Sequence, residues 1–563
     1  MKKISPESIE RAWWKETIVY QIYPRSFQDS DGDGVGDLRG IISRLDYIAD
    51  LGVETIWLSP IFSSPNDDNG YDVSDYRAIM DEFGTMEDFD ELLAGMKERG
   101  LRLILDLVPN HSSDEHVWFQ EARKSKDNPF RDYYVWKPAK ADGSPPTNWV
   151  AFFAPSTWEW DEATQEYYLH LFSVKQPDLN WENPKLRQEI YDIMHFWMKK
   201  GINGFRIDVM PFISKDLSFP DQTPETFDGN PGRFFANGPR LHEFLREMND
   251  EVISKYDMMT VGEGPGISPE QAMLYVGKNR RELHTLYHFE HMDIDKDDNN
   301  LFKPKKYSLV EFKKIVSDWD RLTHMGGWPT TFLGNHDFPR MVSRFGNDSG
   351  YHQEAAKLLG MFLLTQRGTP YMYYGDEIGM TNVPWEDLSK YRDIQVFDAH
   401  QKHLAAGGEE DIFVKNLKHT ARDNARTPMQ WEAGTQAGFS EATPWIEVNP
   451  NYQQVNVAAQ ENDPQSILNF YKKMTRFRRS HPDLIYGNFV DLRPDDENLF
   501  VYTRRAAGES YLITLNFTSE EQAVDLEELK EIKELLIGNY EKAPSWSAEE
   551  LRLRPWEACL FSI

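Results

Sequence analysis

This chain has a single cysteine, Cys559, in 563 residues. An internal disulfide and any cysteine-rich metal site are therefore excluded, and a reducing compartment is the expectation. Positive charge is also scarce, with 62 Lys and Arg against 92 Asp and Glu and a formal net charge of -30. Such a surface repels polyphosphate and anionic lipid, so the sequence argues against nucleic acid and membrane partners and favours a small neutral ligand. No uninterrupted apolar run approaches the length of a membrane span. The amino-terminal stretch "MKKISPESIERAWWKE" has two lysines with no apolar segment after them. A cytoplasmic protein, monomeric or weakly self-associating, is expected. Internal repeats and low-complexity tracts are absent too, which removes solenoids and disordered linkers.

What is present is ordinary globular composition, 40% apolar and 27% charged, with 17 tryptophans. Flat aromatic faces suit sugar stacking, although composition alone fits a Trp-rich core equally well. The length favours more than one domain. Eight short β-rich runs alternate with amphipathic helices: "TIVYQIYPRSF" from Thr17, "VETIWLSP" from Val53, "RLILDLVPNH" from Arg102, "GFRIDV" from Gly204, "MMTVGE" from Met258, "TLYHFE" from Thr285, "TTFLGNHD" from Thr330 and "GTPYMYYGDE" from Gly368. The helices are well punctuated. One has Asn183 as N-cap, Pro184 in the first turn, apolar Leu186, Ile190, Ile193, Met194 and Trp197 at helical spacing, and Gly201 as the stop. Another runs from Leu38 through Ile41, Ile42, Leu45 and Ile48 to Gly52.

Eight strand-helix units predict a parallel (β/α)₈ TIM barrel, whose active site lies at the carboxyl ends of its strands. The spacing divides the chain into a first barrel part (1–110), an inserted domain after the third strand (111–181), a second barrel part (182–484) and a C-terminal antiparallel β-sandwich (485–563), where "NLFVYTRR", "SYLITLNF" and "ACLFSI" alternate with turn signals.

Polar residues collect where the strands end: Asp106 and His111, Arg206 and Asp208, Glu263, then His336 and Asp337. In an extended "GFRIDV", Arg206 and Asp208 share one face while Phe205, Ile207 and Val209 share the other. A lone R-x-D fits a structural ion pair as well as a site. The convergence of all these groups on one mouth makes Asp208 a candidate nucleophile, with Arg206 favouring its anion. Two carboxyl groups flanking one bond are what glycoside hydrolysis requires. In "DSDGDGVGD", Asp29, Asp31, Asp33, the Val35 carbonyl and Asp37 have the spacing of a calcium loop with Gly34 at its sharp turn, while Gly40 stands where a complete loop has a bidentate Glu. A solvated acidic turn is the alternative.

The motifs "DLVPNH", "GFRID", "VGE", "NHD" and "QPDLNW" resemble the conserved regions of the α-amylase superfamily along nearly the whole chain. "SPNDDNGYD", "DEFGTMEDFDELL", "ARDNARTPMQW" and "YHFEHMD" resemble its oligo-1,6-glucosidase and α-glucosidase branch, with Pro109 where Val is common. The resemblance implies a retaining, exo-acting α-glucosidase that prefers α-1,6 linkages. Asp208 would be the nucleophile, Glu263 the acid and base, and Asp337 the transition-state stabiliser. Glu263 must begin protonated, and neighbouring carboxylates favour that form. His111, Arg206 and His336 would surround the first sugar, with Gln176 among the substrate-binding residues, Tyr71 offering a face and Phe172 packing nearby. Asp68 and Arg422 would close the pocket, and Val209, read as a strand residue, would set linkage preference. A structural Ca²⁺ or Mg²⁺ is implied at Asp29 to Asp37. The rivals are a broad or α-1,4-preferring α-glucosidase with transglycosylation, a sucrose isomerase, disfavoured because "DIDKD" at 293–297 replaces "RLDRD", and a non-catalytic relative.

Overall fold

The computed structural model describes residues 10–223, 231–297, 300–525 and 527–563. The amino-terminal stretch read above therefore lies outside it for residues 1–9. All eight expected strands form, at Val19–Ile22, Thr55–Leu58, Arg102–Leu107, Gly204–Ile207, Met259–Gly264, Thr285–His288, Thr330–Thr331 and Thr369–Tyr373. They pair in parallel in the spatial order six, five, four, three, two, one, eight, seven. A parallel bridge between Leu286 and Pro329 joins the two ends and closes the barrel. Closure leaves no open sheet edge, and it directs every strand's carboxyl end to one mouth.

The helix Pro184–Lys200 shows how the outer layer is held. Asn183 accepts a hydrogen bond from the Lys185 amide at its start, and Gly201 takes φ 113° at its end. Leu186, Ile190, Ile193, Met194 and Trp197 are buried on one face. The run from Leu38 to Ile48 is two helices, Leu38–Ser43 and Leu45–Leu51, rather than one. The break falls at Arg44, whose amide bonds back to Ile41 and whose guanidinium is drawn aside to Gln28 Oε1 (2.6 Å) and over the Trp431 ring.

Within 111–181, a helix at Val117–Ala122 and a small antiparallel sheet of Trp136–Lys137, Glu166–Leu169 and Trp158–Asp161 stand beside the mouth. The His111–Asp178 bridge ties the two ends of this insertion together. At the carboxyl end, five antiparallel strands (488–491, 499–505, 510–516, 558–562, 534–538) pack on three (522–524, 551–553, 545–546). Alternation divides the larger sheet. Leu499, Val501, Leu512, Cys559 and Phe561 meet Val524, Leu551 and Leu553 of the smaller sheet, while Phe500, Tyr502, Tyr511, Ile513 and Leu560 join the barrel core. The 484/485 division falls inside the helix Pro482–Tyr486, which leads into this sheet. Among the described residues no helix is long and apolar enough to cross a membrane.

Candidate active site

The third, fourth and fifth strands place three carboxylates around one buried guanidinium. Arg206 Nη1 donates to Asp106 Oδ1 (2.7 Å) and Asp208 Oδ1 (2.5 Å), and its Nη2 lies 2.9 Å from Glu263 Oε2. Parallel register explains the grouping, because Asp106 pairs with Arg206 across strands three and four, and Arg206 with Val261 across four and five. Asp106 is further fixed by the Trp57 indole N–H at 2.8 Å. Burial drives the Asp208 carboxyl well above the usual carboxylate range, against the pull of Arg206, and the charges of Glu263 and Asp106 push the same way as burial. The expectation that Arg206 decides the charge of Asp208 was therefore incomplete.

Val209 departs most from the sequence reading. The fourth strand ends at Ile207, and Val209 has φ 34° and ψ 41°, a left-handed conformation that is an outlier for a β-branched residue. Its side chain is thus not a strand side chain. The turn instead aims its amide at Glu263 Oε2 (2.8 Å), so a cation and an N–H donor face the same oxygen. Both contacts fix the position of that oxygen at the carboxyl end of the fifth strand.

Asp337 follows the seventh strand. Burial opposes its charge, yet His336 (Nε2 to Oδ2 3.2 Å), Arg422 (3.1 Å) and Arg426 (3.3 Å) hold it below the ordinary carboxylate range. His336 is itself buried, which lowers its pKa to about 3. It lies 2.8 Å from both the Gln21 amide and the Tyr71 hydroxyl. Tyr71 stacks on His336 with ring centroids 5.3 Å apart and 5° between planes.

At the other end of the site, Gln176 Nε2 donates to Asp68 Oδ2 (3.1 Å) and lies 3.2 Å from His111 Nε2. His111 contacts the Phe172 ring at 5.0 Å. Burial raises Asp68 to about 7 despite Arg422 and Arg426. Arg422 is only 3.8 Å from Asp68, and its tight partner is Asp393, bound at Nε (2.7 Å) and Nη2 (2.5 Å). The structure thus brings together all the expected sugar-site residues, but makes Asp68 the loosest of three carboxylates around Arg422. Sequence reasoning missed Asp393, which reads as an ordinary N-cap before the helix Ile394–Ala405 and is one as well. It also passed over Arg426 and Gln21, although both lie in stretches quoted above, because nothing local marks them out.

In the acidic loop, carboxylate oxygens of Asp29, Asp31 and Asp37 lie within 4.8 Å of one another, while Asp33 stands outside this group. Asp33 instead accepts the Val35 amide (2.7 Å), and Gly34 makes the sharp turn at φ 94°. Three hard oxygen donors fit Ca²⁺ or Mg²⁺.

A model described as "Alpha amylase, catalytic domain" matches residues 21–487, and one described as "Alpha-amylase SusG C-terminal domain" matches 499–559. Proteins named oligo-1,6-glucosidase from Parageobacillus thermoglucosidasius and Bacillus cereus are each 50% identical over 560 residues, 99% of this chain and 100% of theirs. Among solved structures, a Bacillus licheniformis trehalose-6-phosphate hydrolase is 43% identical, with TM-score 0.94 over 98% of this chain and 100% of that one. An Erwinia rhapontici isomaltulose synthase is 42% identical, with TM-score 0.94 over 98% of this chain and 99% of that one. With the barrel, the three carboxylates and these full-length likenesses in hand, the chain belongs to the α-amylase family of glycoside hydrolases.

Proposed function

We propose that the enzyme is a retaining, exo-acting α-glucosidase that releases glucose from the non-reducing end of short α-glucosides and prefers α-1,6 linkages. The observation that carries this reading is the single Arg206 guanidinium shared by Asp208 and Glu263, with Asp68, Arg422 and Asp393 ion-paired at the other end of the site, where they would close it behind a terminal glucose. Asp208 Oδ attacks the anomeric carbon, and Glu263 gives its proton to the leaving oxygen. A water then loses a proton to Glu263 and displaces Asp208, while Asp337 stabilises the oxocarbenium-like transition state. A closed end admits only a terminal sugar, so chain ends are the substrate. The names of the full-length relatives support the linkage preference. At the acidic loop Asp29, Asp31 and Asp37 would hold a Ca²⁺ or Mg²⁺, whose contribution when bound is to stiffen the first strand-helix connection.

Glucose release from isomaltose, panose, maltose, sucrose and trehalose tests the reading. Isomaltose and panose are expected to lead, and dextran is expected to keep its viscosity while glucose accumulates. Rapid viscosity loss would refute the closed end. Conversion of sucrose to an isomer without glucose release would favour the isomerase reading instead.

A further inference from the structure

One buried carboxylate beside the site has no part in the chemistry described so far. Asp72 ends the stretch "SPNDDNGYD", residues 64–72, is fully buried, and makes no ion pair among the described residues. It accepts from three neutral donors instead. Its Oδ1 takes the Ser64 hydroxyl (2.9 Å) and the Asp68 amide (3.0 Å), and its Oδ2 takes the Asp67 amide (2.8 Å). Burial pushes the Asp72 carboxyl above the usual range, and the Asp68 and Asp67 amides and the Ser64 hydroxyl draw it back. A buried charge without a counter-ion is costly, and here all three of these bonds fall on one loop.

That loop needs outside support. Asn66 (φ 64°), Asn69 (φ 49°) and Gly70 (φ 97°) are all left-handed, a conformation that costs energy in residues with a side chain. Asp67 and Asp68 both reach from it to the inserted domain, where the Ser173 hydroxyl donates to Asp67 Oδ2 and Gln176 Nε2 donates to Asp68 Oδ2 at 3.1 Å. The two Asp72 oxygens therefore grip the backbone of the two residues whose side chains bind that domain. The Asp68 carbonyl in turn accepts the Tyr71 amide at 3.1 Å. The carboxylate that faces Arg422 and the ring stacked on His336 thus belong to one turn wrapped around Asp72.

We propose that Asp72 is a positioning residue for the terminal glucose: by holding the Asp67 and Asp68 amides it sets where the Asp68 carboxylate and the Tyr71 ring stand, and where the inserted domain meets them. This rests on the α-glucosidase reading above. Asn cannot take over the task, because it offers one acceptor oxygen and puts an NH₂ where an amide or hydroxyl donor arrives. The charge matters in its own right. Burial first, and then Asp72 and Asp393, raise Asp68 to about 7 against Arg422 and Arg426. His111, across Gln176, adds no charge there, since burial lowers its pKa to about 3. Removing the Asp72 charge favours the Asp68 anion and so lowers the Asp68 pKa.

The test measures kcat and KM for isomaltose across pH, together with the Tm, in the wild type and in variants of this loop. In Asp72→Asn, KM is expected to rise about ten- to hundredfold while kcat changes less than about threefold. The rise in KM on acidification should begin at a lower pH than in the wild type. Ser64→Ala leaves the carboxylate and both amides in place and should raise KM about two- to fivefold, and Ser64→Thr, which restores the hydroxyl, should return it. If Asp72→Asn does not fold, the two serine variants decide the matter. Wild-type KM in Asp72→Asn or Ser64→Ala would overturn the positioning role, as would a loss confined to kcat, or a lower Tm with KM and its pH break unmoved. No glucose release by the wild type from any of the proposed donors would instead overturn the α-glucosidase reading, on which the role depends.

Discussion

Replacing Asp393 by Asn separates its charge from its shape. The carboxylate has two tasks: it grips Arg422 at 2.5 and 2.7 Å, and its Oδ1 accepts the Gln395 amide at 3.0 Å to cap the helix Ile394–Ala405. Asn caps a helix about as well as Asp, so the second task survives. The first does not. Asn presents Arg422 with one acceptor oxygen and an NH₂ where the second oxygen stood, so one bond keeps only its charged donor and the other is lost; hydrogen bonds to a charged group are worth about 1.5–3 kcal/mol, so the cost is roughly 2–3 kcal/mol. Arg422 keeps Asp337 at 3.1 Å and Asp68 at 3.8 Å, which limits the damage to geometry rather than folding. If the loss falls on sugar binding, kcat/KM for isomaltose drops about 30- to 150-fold, mainly through KM. The pH profile must move as well. Burial first, and then the charges of Asp72 and Asp393, raise Asp68 to about 7 against Arg422 and Arg426. Between the ordinary carboxylate range and about 7, the folded chain therefore holds a proton that the unfolded chain has lost. This carboxyl's contribution to stability is full below that window and declines as pH rises through it. Removing Asp393's charge and freeing Arg422 lowers the Asp68 pKa, so the rise in KM on acidification should begin at a lower pH than in the wild type. Asp393→Ala loses the cap too and should be about 1 kcal/mol less stable than Asp393→Asn. Wild-type KM and an unmoved pH break in Asp393→Asn would refute the assignment of this carboxylate to the site.

Asp208→Asn should lower kcat about 10⁴-fold or more while an isomaltose titration still shows binding; near-normal turnover would remove it as nucleophile. Chelation should lower the Tm and leave the activity of protein that remains folded largely intact. At an ion concentration of about 100 Kd the stabilisation is about 2.7 kcal/mol. Protein shown metal-free by elemental analysis that melts at an unchanged temperature would make the acidic loop only a turn. Val209→Thr keeps β-branching, and so keeps the backbone strain, while exchanging a methyl for a hydroxyl. A shift in the isomaltose-to-maltose ratio of kcat/KM toward maltose, within a range of about ten- to two-hundredfold, is expected, and an unchanged ratio would leave Val209 with its amide contact alone.

The barrel was legible because each strand is a short apolar run bounded by turn residues, and the helices between them carry period-3.6 apolar faces with caps such as Asn183 and Gly201. The carboxylates were legible for the same reason, since a barrel strand's end fixes where its polar residues go. Val209 was not. The alternation of "GFRIDV" continues past the residue at which the strand stops, and a positive φ in a β-branched residue leaves no mark on a pattern of apolar and polar letters. The break at Arg44 was hidden likewise, because it depends on Gln28 and Trp431, distant in sequence or type from any helix signal. Asp393 illustrates the third limit. A capping residue satisfies every local rule, so nothing in its neighbourhood shows that it also reaches across to Arg422.

The position of Arg206 among Asp106, Asp208 and Glu263 has a consequence for the whole reaction cycle. With the roles proposed above, the substrate complex has Asp208 ionised and Glu263 neutral, and the covalent intermediate has Asp208 esterified and Glu263 ionised. One negative charge leaves the Nη1 side of the guanidinium as one arrives on the Nη2 side, while Asp106 stays constant. The cation thus faces the same total charge before and after each displacement, and neither half-reaction requires the surrounding dipoles to reorganise around a new net charge.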